Sequence, residues 1–374
     1  MSSDRGSDRQ LSSLSMFLCG DVMLGRGVDQ ILAQPCEPTL HESYMDDARD
    51  YVALAEQESG EIPWGAPPAY PWGDAIQILD EVRPDARIVN LETSITRSPD
   101  YDRDKGINYR VSPENATSLA AAHVDVCALG NNHVLDWGER GLFDTLDTLD
   151  RLHIKRCGAG RDLDEATRPA VIDLDDRRIA VFSIGVLDAG VPPWWAAGPD
   201  RPGVNFIRVL DDAALAAVRR AIEPWQDDRT LVVVSLHWGG NWGYGVPDAH
   251  RRFAHQLVDA GVHVVHGHSS HHVKGIEVRS GQLILYGCGD LITDYEGIHG
   301  HEQFRGDLGL LYIPTFDRAR KLGRLVMFPT RMQRLQLRRA DAKAIAWLEA
   351  TLTRCGKELG TSAAVENDHL RLVW

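Results

Sequence analysis

Eight of the fifteen histidines lie between His237 and His272, and two apolar runs there each stop at a histidine. Leu231-Val-Val-Val-Ser-Leu236 stops at His237-Trp-Gly-Gly, and Val262-His-Val-Val265 stops at His266-Gly-His268-Ser-Ser-His271-His272. Such runs read as buried strands, and in open α/β sheets the carboxyl ends of strands hold ligands and catalytic groups. Three more runs end in the same manner: Met16-Phe-Leu-Cys19 at Gly20-Asp21, Ala86-Arg-Ile-Val at Asn90-Leu-Glu92, and Val124-Asp-Val-Cys-Ala-Leu129 at Gly130-Asn131-Asn132-His133. Carboxylate, amide and imidazole meeting on one sheet edge form a donor set suited to Mn, Fe or Zn. A carboxylate there can bridge two ions about 3.5–4 Å apart, which acidify a water and clamp a phosphoryl or acyl oxygen.

The elements that position these ends alternate strand with helix, the pattern of βαβ units. Gly25-Arg26-Gly27 opens a short helix, and longer ones are predicted at 74–82, 113–123, 139–152, 211–222, 247–260 and 341–352. Hairpins are expected about Asp175-Asp176 and across Ser280-Gly281, with further strands at 308–313, 325–328 and 333–337. Two segments read as insertions: 35–71, rich in Pro, Glu and Tyr and suggestive of a lid or surface excursion, and 188–206, whose Trp194-Trp195 pair either walls a cleft or anchors the loop. Gly287-Cys-Gly-Asp290 lacks the third glycine of a dinucleotide fingerprint. The expected organisation is a tail over 1–14, one domain over 15–338, and a helix with a polar tail over 339–374.

A 43% apolar, 25% charged chain of 374 residues is that of a globular protein able to bury a sizeable core. The formal charge of −14 opposes a surface that holds nucleic acid through phosphate neutralisation. Six scattered cysteines without a CxxC pair suggest reduced, buried thiols, and the apolar run 14–19 is short for a signal or membrane segment. A cytoplasmic protein is expected, with no membrane and no nucleic-acid partner.

Taken together, Gly20-Asp-Val-Met-Leu-Gly-Arg26, Asn90-Leu-Glu92, Asn131-Asn-His133 with Asp136-Trp-Gly138, His237-Trp-Gly239, and Gly267-His-Ser-Ser-His271 with Gly275-Ile-Glu277 resemble the CapA family of poly-γ-glutamate capsule biosynthesis proteins. The resemblance spans roughly residues 16–312. It implies a calcineurin-like metallophosphatase fold, an α/β four-layer αββα sandwich of two mixed sheets flanked by helices. It further implies Asp21, Glu92, Asn132, His237, His268 and His271 as ligands of one or two divalent ions, His133 as general acid, and Arg26 as a contact for an anionic substrate group. The sequence departs from the metallophosphatase pattern at Met23, where a histidine is usual, and in the stretched Gly267-His268-Ser-Ser-His271 motif.

The residues leave some roles open. Asp136 either orients His133 or caps the following helix; His266 and His272 are supporting donors behind the ligands or solvated; His250 and His255, on a helix, read as structural or exposed. Asp290, Asp294 and Glu296 fall near the site, where turn and cap roles are the ordinary reading. Three functions fit: a phosphoesterase using metal-activated water, a metal-dependent enzyme forming or cleaving γ-glutamyl or other amide bonds, and a non-enzymatic polymer- or envelope-assembly protein. The first two take a small anionic substrate, a phosphoester or a glutamyl compound.

Overall fold

Side-chain alternation in the strands decides how the layers stack. The computed structural model describes residues 13–374. Met16 and Leu18 enter one apolar layer while Phe17 and Cys19 enter another, as a pleated strand requires. Leu231 and Val233 share the layer of Met16 and Leu18, whereas Val232, Val234 and Leu236 face a third. The shared layer lies between two sheets and helices close the outer two, giving the expected αββα sandwich.

Helix Gly138–Arg151 buries Leu142, Leu146 and Leu149 on the first sheet. Helices Asp212–Ile222 and Asp248–Asp259 bury Leu215, Val218, Phe253 and Leu257 on the second. Each large apolar side chain so buried contributes roughly 1.5–3 kcal/mol. Asp211 and Asp341, read as helix starts, cap their helices by accepting the N–H of Ala214 and Ala344 at 2.9 and 2.8 Å.

In the first sheet Ala86–Leu91 lies between Val126–Ala128 and the consecutive strands Leu14–Phe17 and Asp21–Val22, all parallel, with Asp290–Ile292 parallel beyond Asp21–Val22. Leu308–Phe316 and Leu322–Met332 extend it antiparallel. In the second sheet Arg178–Val186, Thr230–His237, Val264–His268 and Gln282–Leu285 run parallel in that order. The carboxyl ends of both parallel sets meet at one end of the sandwich, where the Ser269 N–H reaches Asp21 Oδ2 at 3.2 Å.

Four expectations need correction. The tail predicted over 1–14 lies outside the described residues as far as residue 12, and Leu14 already opens the first strand, Leu14–Phe17. The strand predicted at 333–337 is a tight turn: Gln333 and Gln336 exchange backbone hydrogen bonds of 2.9 and 3.2 Å, and Arg334 and Leu335 take φ of 58° and 52°. The polar tail after helix Ala342–Gly356 is a hairpin, Ser362–Glu366 with His369–Val373, which adds to the first sheet and sends Ala363, Leu370 and Leu372 into the inter-sheet core. The segment 35–71 is packed, since its helix Arg49–Ser59 buries Val52 and Ala55 against Ile31, Ile62 and Leu335.

Candidate metal centre

The first sheet supplies oxygen donors, and a line of amides orients them. Asn131 Nδ2 donates to Asn90 Oδ1 at 3.0 Å, and Asn90 Nδ2 donates to Asp21 Oδ1 at 2.6 Å. Asn131 Oδ1 accepts from the His133 N–H at 3.1 Å, which fixes the turn carrying Asn132 and His133. Asn90 and Asn131 are thereby occupied, whereas Asn132 Oδ1 is buried without a partner.

The second sheet supplies imidazoles. His237 and His268 are register partners on adjacent strands, their Nδ1 atoms 2.9 Å apart. The tautomer of His268 follows from its neighbours. The Cys19 carbonyl can only accept, so His266 Nε2, 2.6 Å away, donates to it. His266 Nδ1 then accepts from Ser235 Oγ at 3.1 Å, and Ser235 Oγ accepts from His268 Nε2 at 2.8 Å, which makes His268 Nδ1 an acceptor, facing His237 Nδ1 at 2.9 Å and lying 3.7 Å from Asp21 Oδ1. Burial holds His237 and His268 well below the usual histidine range and His266 at about 4; a neutral ring is the form that ligates. His237 Nε2 is buried with no hydrogen-bond partner, 3.6 Å from Glu92 Oε1. Gly267 makes room beside this pair: a Cβ there would lie 2.6 Å from Nε1 of the buried Trp238.

Asp136 does not cap its helix, whose N-terminal residue, Trp137, carries no side-chain cap bond. Asp136 Oδ2 accepts from His133 Nδ1 and from the Tyr109 N–H, both at 2.6 Å, and Oδ1 accepts from Lys105 Nζ at 2.5 Å. Tyr109 stacks on the His133 ring at 3.9 Å. With Nδ1 so held, His133 Nε2 looks toward Glu92 Oε1, 4.0 Å away. Burial pushes His133 down to about 4, against the pull of Asp136.

Ligand atoms of Asp21, His237 and His268 all lie within 4.8 Å of one another; Glu92 Oε1 adjoins them, 3.6 Å from His237 Nε2, and His133 Nε2 lies 4.0 Å beyond it. His271 stands beside this trio, its Nδ1 3.1 Å from both oxygens of Asp290. Arg26 is not available to a substrate: it is 3% exposed, donates to Asp294 Oδ1 and Oδ2 at 2.5 and 3.1 Å, and meets Glu42 Oε1 and Tyr51 Oη at 2.9 Å each. Asp294 lies 268 residues away, and Glu42 and Tyr51 both lie in the 35–71 insertion, so no local signal announced them. His272 is buried, donating Nδ1 to the Val273 carbonyl at 3.0 Å. His250 and His255 pair with Asp188 and Glu277 at 2.6 and 2.9 Å. Trp195 anchors its loop through an Nε1 hydrogen bond of 3.1 Å to Asp102, while Trp194 is exposed.

Sequence reasoning missed Lys105, Ser235 and the pairing of Asp290. Gly-Asp290 at a strand exit repeats the pattern of Gly20-Asp21 and was the available signal; a lysine in the polar loop near 105 gives none.

The donors fit a divalent cation. Asp21, Glu92 and Asp290 are buried, and their ion-pair partners among the described residues are histidines. Burial and the neighbouring Asp290 push Asp21 up to about 7, and burial with Asp21 raises Glu92 well above the carboxylate range. Buried carboxylates that form no direct ion pair with a lysine or arginine among the described residues, with His237 Nε2 unpartnered 3.6 Å from Glu92, are what a cation would complete.

These features define an αββα sandwich protein whose two sheets join carboxylates and imidazoles at one end. The chain belongs to the family described as bacterial capsule synthesis protein PGA_cap, whose model matches residues 15–295. It is 45% identical over 365 residues to a probable polyglutamine synthesis accessory protein of Mycobacterium tuberculosis, covering 96% of this chain and 95% of that one. It is 25% identical over 291 residues to the PGA biosynthesis protein CapA of Bacillus subtilis, covering 75% of this chain and 63% of that one. Among solved structures it is similar to a 5'-nucleotidase precursor of Thermus thermophilus, at 13% identity and a TM-score of 0.45 over 93% of this chain and 59% of that one. Among the described residues no helix is long and apolar enough to cross a membrane.

Proposed function

We propose that the chain is a metal-dependent phosphoesterase acting on a small anionic substrate in the cytoplasm. The observation that carries this reading is the buried Asp21–His237–His268 trio, with partnerless His237 Nε2 and Asn132 Oδ1, set beside a histidine oriented by a carboxylate. Asp21, Glu92, Asn132, His237, His268 and His271 are the residues we assign to one or two ions of Mn, Fe or Zn. Bound there, such ions would polarise an ester oxygen and acidify a water.

The protein's own part is positional and protonic. Asp136 and Tyr109 fix the His133 ring, so proton exchange is confined to Nε2. His133 rests neutral because burial outweighs Asp136; an anionic phosphoester entering beside it favours uptake of a proton from solvent at Nε2, and that proton passes to the leaving oxygen. Asn131 and Asn90 hold Asp21 in one orientation while this happens, and Ser235 with His266 holds His268.

The test is turnover of bis(p-nitrophenyl) phosphate by protein loaded with Mn²⁺ or Zn²⁺. We expect His133→Ala to lower kcat about 10²- to 10⁴-fold with metal content unchanged; an undiminished rate removes His133 as the acid. A second reading, formation or cleavage of γ-glutamyl bonds, is favoured by the names of the relatives, which refer to polyglutamine and PGA synthesis. Turnover of glutamyl peptides without turnover of phosphoesters selects it. If the metal-loaded protein turns over neither, the role is in polymer or envelope assembly.

A further inference from the structure

We propose that Tyr295, paired with Tyr109, receives the anionic group of the substrate by donating a hydrogen bond to one of its unesterified oxygens. This rests on the phosphoesterase reading above and supplies the contact that Arg26, engaged by Asp294 and Glu42, does not make.

The fold joins two tyrosines 186 residues apart in sequence, their hydroxyls 2.7 Å from each other. Tyr109 precedes the short strand Arg110–Val111, and Tyr295 follows the strand Asp290–Ile292. Each ring rests against one side of the candidate centre: Tyr109 stacks on His133 at 3.9 Å, and Tyr295 meets the His271 ring edge-on at 5.4 Å. The hydroxyl pair therefore spans the gap between the histidine we assign as acid and one we assign as ligand. Burial, then the charges of Tyr109, Asp290 and Glu92, hold the Tyr295 phenol well above its usual range, so both carboxylates lie close enough to act on that hydroxyl.

Counting hydrogen bonds leaves one proton over. Each phenol carries a single O–H; one donates to the other, and neither hydroxyl has a further partner among the described residues. The remaining O–H is unspent where the ester group must lie if His133 is to reach its leaving oxygen. Tyr109 is 4% exposed while Tyr295 is half-buried, so a ligand entering from solvent meets Tyr295. The nearby cations are engaged, Lys105 by Asp136 and the Asn132 carbonyl and Arg26 as above. Arg26 instead sets the tyrosines. Its guanidinium lies 4.7 and 5.7 Å from their ring centres, and with the Gly27 N–H it anchors Asp294, the residue before Tyr295.

The experiment titrates full-length, Mn²⁺-loaded protein with dimethyl phosphate by calorimetry and follows bis(p-nitrophenyl) phosphate turnover. Tyr295→Phe keeps the ring and removes only the hydroxyl. It is expected to weaken dimethyl phosphate binding about 10- to 100-fold and to raise KM in step, with kcat and metal content near those of the wild type. In the wild type the same titration is expected to perturb the tyrosine ultraviolet absorption; no perturbation at saturation overturns the proposal without recourse to a variant. Unchanged binding by Tyr295→Phe overturns it, and so does weaker binding accompanied by loss of metal, since Tyr295 would then act by supporting the centre. Wild-type turnover with unchanged binding in the variant removes this proposal alone, whereas a wild type that turns over no phosphoester removes the phosphoesterase reading as well.

Discussion

Asp290 and Asp294 stand four residues apart at one end of the first sheet, both buried, and the protein treats them differently. Asp294 receives two hydrogen bonds from Arg26, which also meets Glu42 and lies 3.9 Å over the Tyr51 ring. Asp290 meets one histidine, and its neighbours Asp21 and Glu92 likewise meet histidines alone among their ion-pair partners in the described residues. A buried carboxylate is costly unless paired. The first group is paired by the chain itself and is structural; the second is the one we assign to a bound cation. The comparison teaches that burial and charge do not mark a site until the inventory of partners is complete.

The largest effect should come from undoing the paired group. Arg26→Met strands Asp294 and Glu42 and is expected to lower unfolding stability by about 3–5 kcal/mol, equally in EDTA and in Mn²⁺, as read by urea denaturation. A loss below about 1 kcal/mol would show that Asp294 is relieved in some other way, and the contrast would fail.

The unpaired group should behave in the opposite sense. Glu92→Gln gives up no pair with lysine or arginine, so in EDTA it is expected to leave stability unchanged within about 0.5 kcal/mol or to raise it. At a Mn²⁺ concentration of about 100 Kd the wild type should gain about 2.7 kcal/mol, and the variant should gain much less. A variant several kcal/mol weaker in EDTA would mean that Glu92 is structural.

Distance in the chain explains part of what the sequence did not show. Asp21, His237 and His268, which the structure brings together, could be picked out because each ends an apolar run, and a strand's carboxyl end is a local feature. The two layers on either side of each sheet could be read from nearly continuous apolar runs such as 231–236. Arg26 was misread because its pairing depends on Asp294, at the far end of the domain, and on Glu42 in a segment without periodicity. The C-terminal hairpin carried a legible signal that was missed: Leu370 and Leu372 alternate with His369 and Arg371, and the residues before them, Glu366-Asn367-Asp368, suit a turn with Asn367 at φ 59°. The Gln333 turn was hidden because tertiary packing of Leu335 against Ile31 and Val52 mimics a strand's apolar residue.

A third way to keep an ionisable group buried is to keep it neutral, and His263 shows it at the amino-terminal end of its strand, away from the candidate centre. Its Nδ1 accepts the Val232 N–H at 3.0 Å, so the ring must stay unprotonated there, and burial, helped by Arg320 and Lys321, pushes it down to about 4. In the unfolded chain the ring titrates near about 6.5. Above that pH neither state binds the proton and His263 adds no pH dependence; between about 6.5 and 4 the unfolded state binds more protons, so stability falls as pH falls. From about pH 6.5 to 5 this amounts to about 1.5 kcal/mol. His263→Gln, whose amide oxygen can accept the same N–H without titrating, should remove that part of the slope, in EDTA and in Mn²⁺ alike. Parallel stability curves for wild type and variant over this interval would show that His263 is solvated when charged, and neutrality would no longer stand beside pairing and ligand binding as a means of burying charge in this fold.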